Sequence, residues 1–196
     1  SEPTMSALMA NVQAGLGGYA ASTRPGLYGQ YFSETQYTDA SLYSLPQIEF
    51  SGEYAGSLMD LQIIVDRKES NNMVQVAKIL QQYIFWTITD RWGDVPYSEA
   101  LKGKLNFTPK YDKQKDIYDS LFKLLDEANA AIVAGNIKND IMYGGDINKW
   151  KRFGNTIHML MALRLSEVNA TKGASEFNKA LSAGIMSSNA DNFVFK

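Results

Sequence analysis

The sequence contains no cysteine. Disulfides, thiolate metal sites and cysteine nucleophiles are excluded together, while the compartment stays undecided. Histidine is nearly absent too: His158 is the only one. A catalytic triad needs a positioned base with an orienting acid, and a metal site without cysteine usually wants more than one histidine. His158, followed by Met159 and Leu160 in a helical stretch, is therefore read as structural. No run of 18 apolar residues exists to cross a bilayer, and no secretory signal pattern begins at Ser1. The glycines of GLGG at 15–18 do not make GxGxxG, and no GxxxxGK(S/T) phosphate loop occurs. With no basic block and a net charge of −2, nucleic acid is not an expected partner.

What remains is an ordinary globular composition, 45% hydrophobic and 20% charged, in a chain long enough for a real core. Its centre is Asn71 to Leu101, where Met73, Val76, Ala77, Leu80, Ile84 and Ile88 recur at three and four. From Tyr83 to Ile88 only Thr87 is polar, so this helix should be covered on more than one side. Asn71 or Asn72 is expected to cap its start, and Gly93 and Pro96 to end it. Upstream, Met5, Leu8, Met9 and Val12 predict a short helix closed by the glycines at 15, 17 and 18. A second helix is predicted at about Tyr54 to Lys68, with Leu58, Leu61, Ile64 and Val65 inward. The short turn after it implies an antiparallel pair. Downstream come a polar loop through Lys102–Asp112 and a helix from about Lys113 to Ala134, stopped by Gly135. Another helix starts at Asp146 or Asn148, with Trp150, Phe153, Ile157, Leu160, Met161, Leu165 and Val168 inward. The last, near Ser175 to Ile185, carries Phe177, Leu181 and Ile185. The chain then stops on Phe193, Val194 and Phe195, an apolar run with no evident partner, and is expected to be the N-terminal piece of something longer.

Two stretches carry candidate chemistry. Asp90, Asp94 and Glu99 are the nearest approach to a carboxylate pair of the kind that cleaves glycosidic bonds. Acidic side chains around a glycine turn more commonly bond backbone amides, and the structural reading is preferred. The other stretch, about 20–57, is rich in Gly, Ser, Thr and Tyr, holds Pro25 and Pro46, and shows no sustained period. A long irregular segment with this aromatic content is expected to be ordered and functional. Within it Tyr28, Tyr31, Phe32, Tyr37 and Tyr43 alternate with polar residues including Gln30, Gln36 and Asp39. Flat rings stack on sugar faces while amides and carboxylates bond hydroxyls. Tyr28, Gln30, Tyr31, Tyr37, Asp39 and Tyr43 are therefore the candidate ligand-binding residues. The competing reading is that these tyrosines pin a long loop onto the helices.

The segments YGQYFSETQYTDASLY, TITDRWGDVPYSEAL, FTPKYDKQKDIYDSLFKLLDEANAAI, GDINKWKRFGNTIHMLMALRLSEV and SNADNF, in this order, resemble the SusD/RagB family of Bacteroidetes. The resemblance implies a mostly α-helical fold of tetratricopeptide-like helix pairs with long irregular loops, residues 1–196 forming the N-terminal part of one such domain. It also implies a non-catalytic nutrient-binding protein, taking a glycan or oligosaccharide and in some members a peptide. Such a protein delivers its ligand to a SusC-like TonB-dependent transporter and needs no cofactor or metal. Members are surface-exposed outer-membrane lipoproteins, so contact with the membrane is expected only through a lipid anchor absent from this sequence. The family's signal peptide and lipid-bearing cysteine are not in this chain, and members run well past SNADNF. Their ligand contacts vary, so the candidate residues rest on chemistry alone. Helix periodicity by itself equally permits a helical-repeat adaptor for peptides or proteins. An enzyme cleaving glycans with Asp90, Asp94 or Glu99 is the third reading.

Overall fold

The computed structural model describes residues 2–44 and 49–194, and its elements are almost all helices. Helix α1, Met5–Ala20, starts at Thr4, whose hydroxyl accepts from the Ala7 amide at 3.2 Å. It runs through Gly15, Gly17 and Gly18 rather than ending there, contrary to expectation. Space is open where a Cβ would sit at each of the three, so close packing does not demand glycine. Leu16, between them, is buried and continues the stripe of Met5, Leu8, Met9 and Val12. Burial of that stripe, which packs α1 on α4, outweighs the weak helix propensity of glycine.

The segment expected to be irregular is mostly so, but carries two short helices, α2 at Arg24–Tyr28 and α3 at Ser51–Ala55. Pro46 lies outside the described residues. Gly56 breaks the helix expected from Tyr54, so α4 occupies Ser57–Arg67, with Leu58, Leu61 and Ile64 buried. Lys68 turns left-handed at φ 54° and leads within three residues into α5, Asn71–Trp92.

Helix α5 is buried round most of its circumference, packed against α4 and two later helices, α6 (Gln114–Ala131) and α7 (Ile147–Arg164). Neither asparagine caps it. Ser70 holds the cap position without a side-chain bond, and the asparagines reach across to the end of α6. Asn71 Nδ2 donates to the Ala131 carbonyl at 2.8 Å. Asn72 donates to Val133 O at 2.8 Å and accepts from Val133 N at 3.0 Å, pairing with that backbone as a strand would. Gly93, at φ 75°, ends α5 as expected.

The polar loop that follows is pinned at its stem. Strand β1, Val95–Pro96, pairs antiparallel with β2, Tyr111–Asp112, a pairing too short to show a period in the sequence. Helix α6 then stops short of the predicted Ala134, because Ile132 is already extended, and Gly135 lies beyond its end at φ 133°. Asp146 caps α7, accepting from the amides of Asn148 and Lys149. Trp150, Phe153, Ile157 and Met161 face inward, whereas Leu160 and Val168 are exposed. Leu160 lies at the outer edge of that stripe, and α7 has ended before Val168 is reached.

The last helix, α8, spans Ala170–Ala183 and buries Gly173 and Ala180 most deeply, with Phe177 partly buried against the core as expected and Leu181 exposed. A Cβ at Gly173 would lie 3.0 Å from the Ala162 carbonyl oxygen and 3.2 Å from Leu165 Cβ. The seam with α7 is thus built by close backbone approach, which a search for large apolar residues misses. The terminal apolar run also finds a partner. Phe193 stacks on Phe153 at 4.3 Å between ring centroids and touches Trp150 and Tyr143, while Val194 is half exposed and Phe195 lies outside the described residues. Among the described residues no helix is long and apolar enough to cross a membrane.

Candidate ligand-binding site

Residues 24–44 form a loop closed by its own hydrogen bonds. After α2, the amides of Tyr31 and Phe32 both donate to the Gly26 carbonyl, at 2.8 and 3.2 Å. The Phe32 ring lies so close that a Cβ on Gly26 would meet it at 2.4 Å, so any larger residue there would have to push the ring aside. One oxygen of Glu34 accepts from Ala40 N, Ser41 N and Ser41 Oγ, at 3.1, 3.1 and 3.2 Å. The carbonyl of Asp39 accepts from the amide and hydroxyl of Ser44, both at 2.9 Å. Gln30 and Tyr43 both have positive φ, 60° and 57°. The Tyr43 hydroxyl donates to Tyr28 O at 2.7 Å, with the two rings tilted at a centroid distance of 5.5 Å.

These bonds fix what the loop displays. Tyr31 is 87% exposed, Tyr37 76% and Tyr43 55%. Among the described residues none of the three rings packs against the helical core, although the Tyr43 hydroxyl does tie the loop back to the end of α2. Of the six candidate residues, the structure joins Tyr28 and Tyr43 directly and uses Asp39 in a turn. Gln30, Tyr31 and Tyr37 stay open to solvent. A loop closed by its own bonds that exposes tyrosine rings, an amide and a carboxylate has the chemistry to bind a polar, ring-shaped ligand.

The acidic candidates have other employment. Asp90 accepts from the Tyr118 hydroxyl and from Arg164 Nε at 3.1 Å, joining α5, α6 and α7. Burial, and then the Asp90 carboxylate, push the Tyr118 phenol far above its ordinary value. Asp94 takes Lys113 Nζ at 2.7 Å and the Gln114 amide at 2.9 Å, and these bonds, Lys113 first, hold it below the usual carboxylate range. Glu99 accepts from the Lys110 amide at 3.2 Å inside its loop. A groove of about 530 Å³ opens beside Asp90 and Arg164, bounded by Tyr118, Asp119 and Lys172. It was not legible in sequence, and the ammonium and guanidinium groups named here are paired with Asp90 and Asp119.

His158 joins three helices. Its Nε2 lies 2.7 Å from Glu176 Oε2 of α8, and its Nδ1 3.4 Å from Asp126 Oδ1 of α6. These groups are within metal-ligating reach of one another. The carboxylates nevertheless address opposite ring nitrogens, and Lys179 bonds Asp126. One ion takes one ring nitrogen, with all its ligands about 2 Å away, so the arrangement works as a clasp between helices. The structural reading of His158 agrees with this geometry.

The loop between β1 and β2 departs from its polar description, since Leu105, Phe107 and Tyr111 are all exposed. The alternation of lysine and apolar residues in LKGKLNF was the available signal.

A family model described as SusD-like, starch-binding and associating with outer membrane, matches residues 1–196. No curated protein matches the sequence. Among solved structures, a chitin-binding protein is 32% identical and superposes with a TM-score of 0.85, over 97% of this chain and 45% of its own. A SusD homologue from Bacteroides fragilis is 26% identical, with a TM-score of 0.82 over 97% of this chain and 43% of its own. A chitin-binding SusD homologue from Flavobacterium johnsoniae is 25% identical, with a TM-score of 0.68 over 74% and 32%. The chain spans less than half the length of these structures.

Proposed function

Since the chain belongs to the SusD-like family, we propose that it is part of a non-catalytic glycan-binding protein of the cell surface, that its ligand is an oligosaccharide of the chitin type, and that it passes this ligand to a SusC-like TonB-dependent transporter while held at the outer membrane by a lipid anchor. The observation that carries the binding reading is the set of exposed rings on the 24–44 loop. Tyr31 and Tyr37 offer faces for stacking on pyranose rings, Gln30 and Asp39 bond hydroxyl or acetamide groups, and the Tyr28–Tyr43 pair sets the edge of the platform. The choice of chitin follows the chitin-binding relative. Because the loop is already closed by its own bonds, little ordering entropy opposes binding.

Calorimetry with chitin oligosaccharides on the full chain tests this. Tyr31→Ala and Tyr37→Ala should each weaken binding by about 1–3 kcal/mol and leave the melting temperature unchanged. Tyr43→Ala should weaken binding and also loosen the loop, since its hydroxyl holds Tyr28 O. Unchanged affinity in the first two variants would move the site elsewhere.

A further inference from the structure

Beyond the glycan site, we propose that the loop at residues 101–108 is a lipid-contacting element that inserts Leu105 and Phe107 into an anionic membrane surface. Leu105 is 91% exposed and Phe107 80%, the former among the most exposed large apolar side chains described. Lys102 and Lys104 precede them, and neither forms an ion pair among the described residues. No acidic residue occurs between 100 and 111; Glu99 reaches in to Asn106 Nδ2 at 3.4 Å and pairs with Lys110, which leaves Lys102 and Lys104 as the cations of the tip. An amphipathic tip of this kind places apolar side chains at the acyl boundary and ammonium groups among phosphates.

The loop is built to hold that pose. Its stem is clamped by the β1–β2 pairing, by Asp112, which accepts from the amides of Tyr97 and Ser98 at 3.1 and 2.7 Å, and by Glu99 on the Lys110 amide. Leu101 and Gly103 take φ of 61° and 54°, turning the segment outward on either side of Lys102. A left-handed leucine is uncommon and is kept only where the surrounding structure imposes it. Surface-exposed leucine and phenylalanine on a stiff tip lose little freedom on contact. Phe107 and Lys102 also border an apolar groove shared with Phe50, Tyr54 and Met59; the lysines beside exposed apolar side chains match an anionic lipid surface, and such a tip suffices for a contact that supplements another anchor. The inference rests on the membrane-surface localisation proposed above and not on the glycan site.

The test is sedimentation of the full chain, without lipid modification, with vesicles of phosphatidylcholine alone or mixed with phosphatidylglycerol. Binding to the mixed vesicles, weakened by salt, is the expected result. Leu105→Ser combined with Phe107→Ser should lower the partition coefficient about tenfold or more, whereas Lys102→Gln with Lys104→Gln should remove only the preference for the anionic vesicles. Melting temperature and oligosaccharide affinity should be unchanged in both variants. Wild-type protein that stays in the supernatant with both vesicles overturns the proposal, as does undiminished sedimentation of the double serine variant. A photocrosslinker at position 105 that captures a protein and no lipid on intact cells also overturns it, and gives the tip to a protein partner. Vesicle binding that persists in protein with no oligosaccharide affinity supports it and counts only against the glycan reading.

Discussion

Asp140 carries more of the fold than its place in a loop suggests. Its two oxygens accept from Gln13 Nε2, Trp150 Nε1 and the amides of Met142, Tyr143 and Gly145, at 2.8 to 3.3 Å. Ile141 N donates in turn to Gln13 Oε1 at 2.9 Å, so α1 is tied to the loop before α7 across most of the sequence. A buried carboxylate with this many donors is costly to remove, because each donor then lacks a partner. Asp140→Ala should destabilise the protein by about 3 kcal/mol or more, read from the urea midpoint. A loss below about 1 kcal/mol would mean that water replaces the carboxylate.

At the scale of elements, the entry to α6 depends on Asp94, which bonds the Gln114 amide at the helix start and the ammonium of Lys113. Its folded value lies below the ordinary 3.8, so its contribution is complete above that value and disappears as pH falls through the depressed one. Asp94→Asn should therefore lower the melting temperature at neutral pH, and the gap from wild type should close below about pH 4. Melting curves across a pH series measure it. A gap of constant size down to about pH 2 would show that the charge of Asp94 is irrelevant to α6. The α7–α8 seam depends on size instead: Gly173 lets the backbones meet, and His158 with its two carboxylates clasps the outer side.

Across the whole molecule, the carboxylates of the candidate hydrolytic pair are employed in holding α5, α6 and the β1–β2 loop. Neither the wild type nor Asp90→Asn, Asp94→Asn or Glu99→Gln is expected to release reducing ends from chitin or starch. Release by the wild type, lost in one variant that keeps its fold, would replace the binding reading by an enzymatic one.

The sequence by itself determined the helical order, the antiparallel α4–α5 pair and the enclosure of α5, because an apolar period is local and survives without knowledge of the partner. Its serial motifs also pointed to the family that the whole chain matches. It placed the tyrosine-rich loop where a site was worth seeking, but not the Glu34 and Tyr43 bonds that leave Tyr31 and Tyr37 displayed. Tertiary structure alone decided the rest. Helix α1 crosses three glycines because Leu16 is buried in the core, and Asn72 serves the end of α6 rather than its own helix cap. Phe193 stacks on Phe153, and Leu105 and Phe107 are left largely exposed. In each case the outcome depends on a residue distant in sequence, present or missing at the contact, and local pattern does not record it.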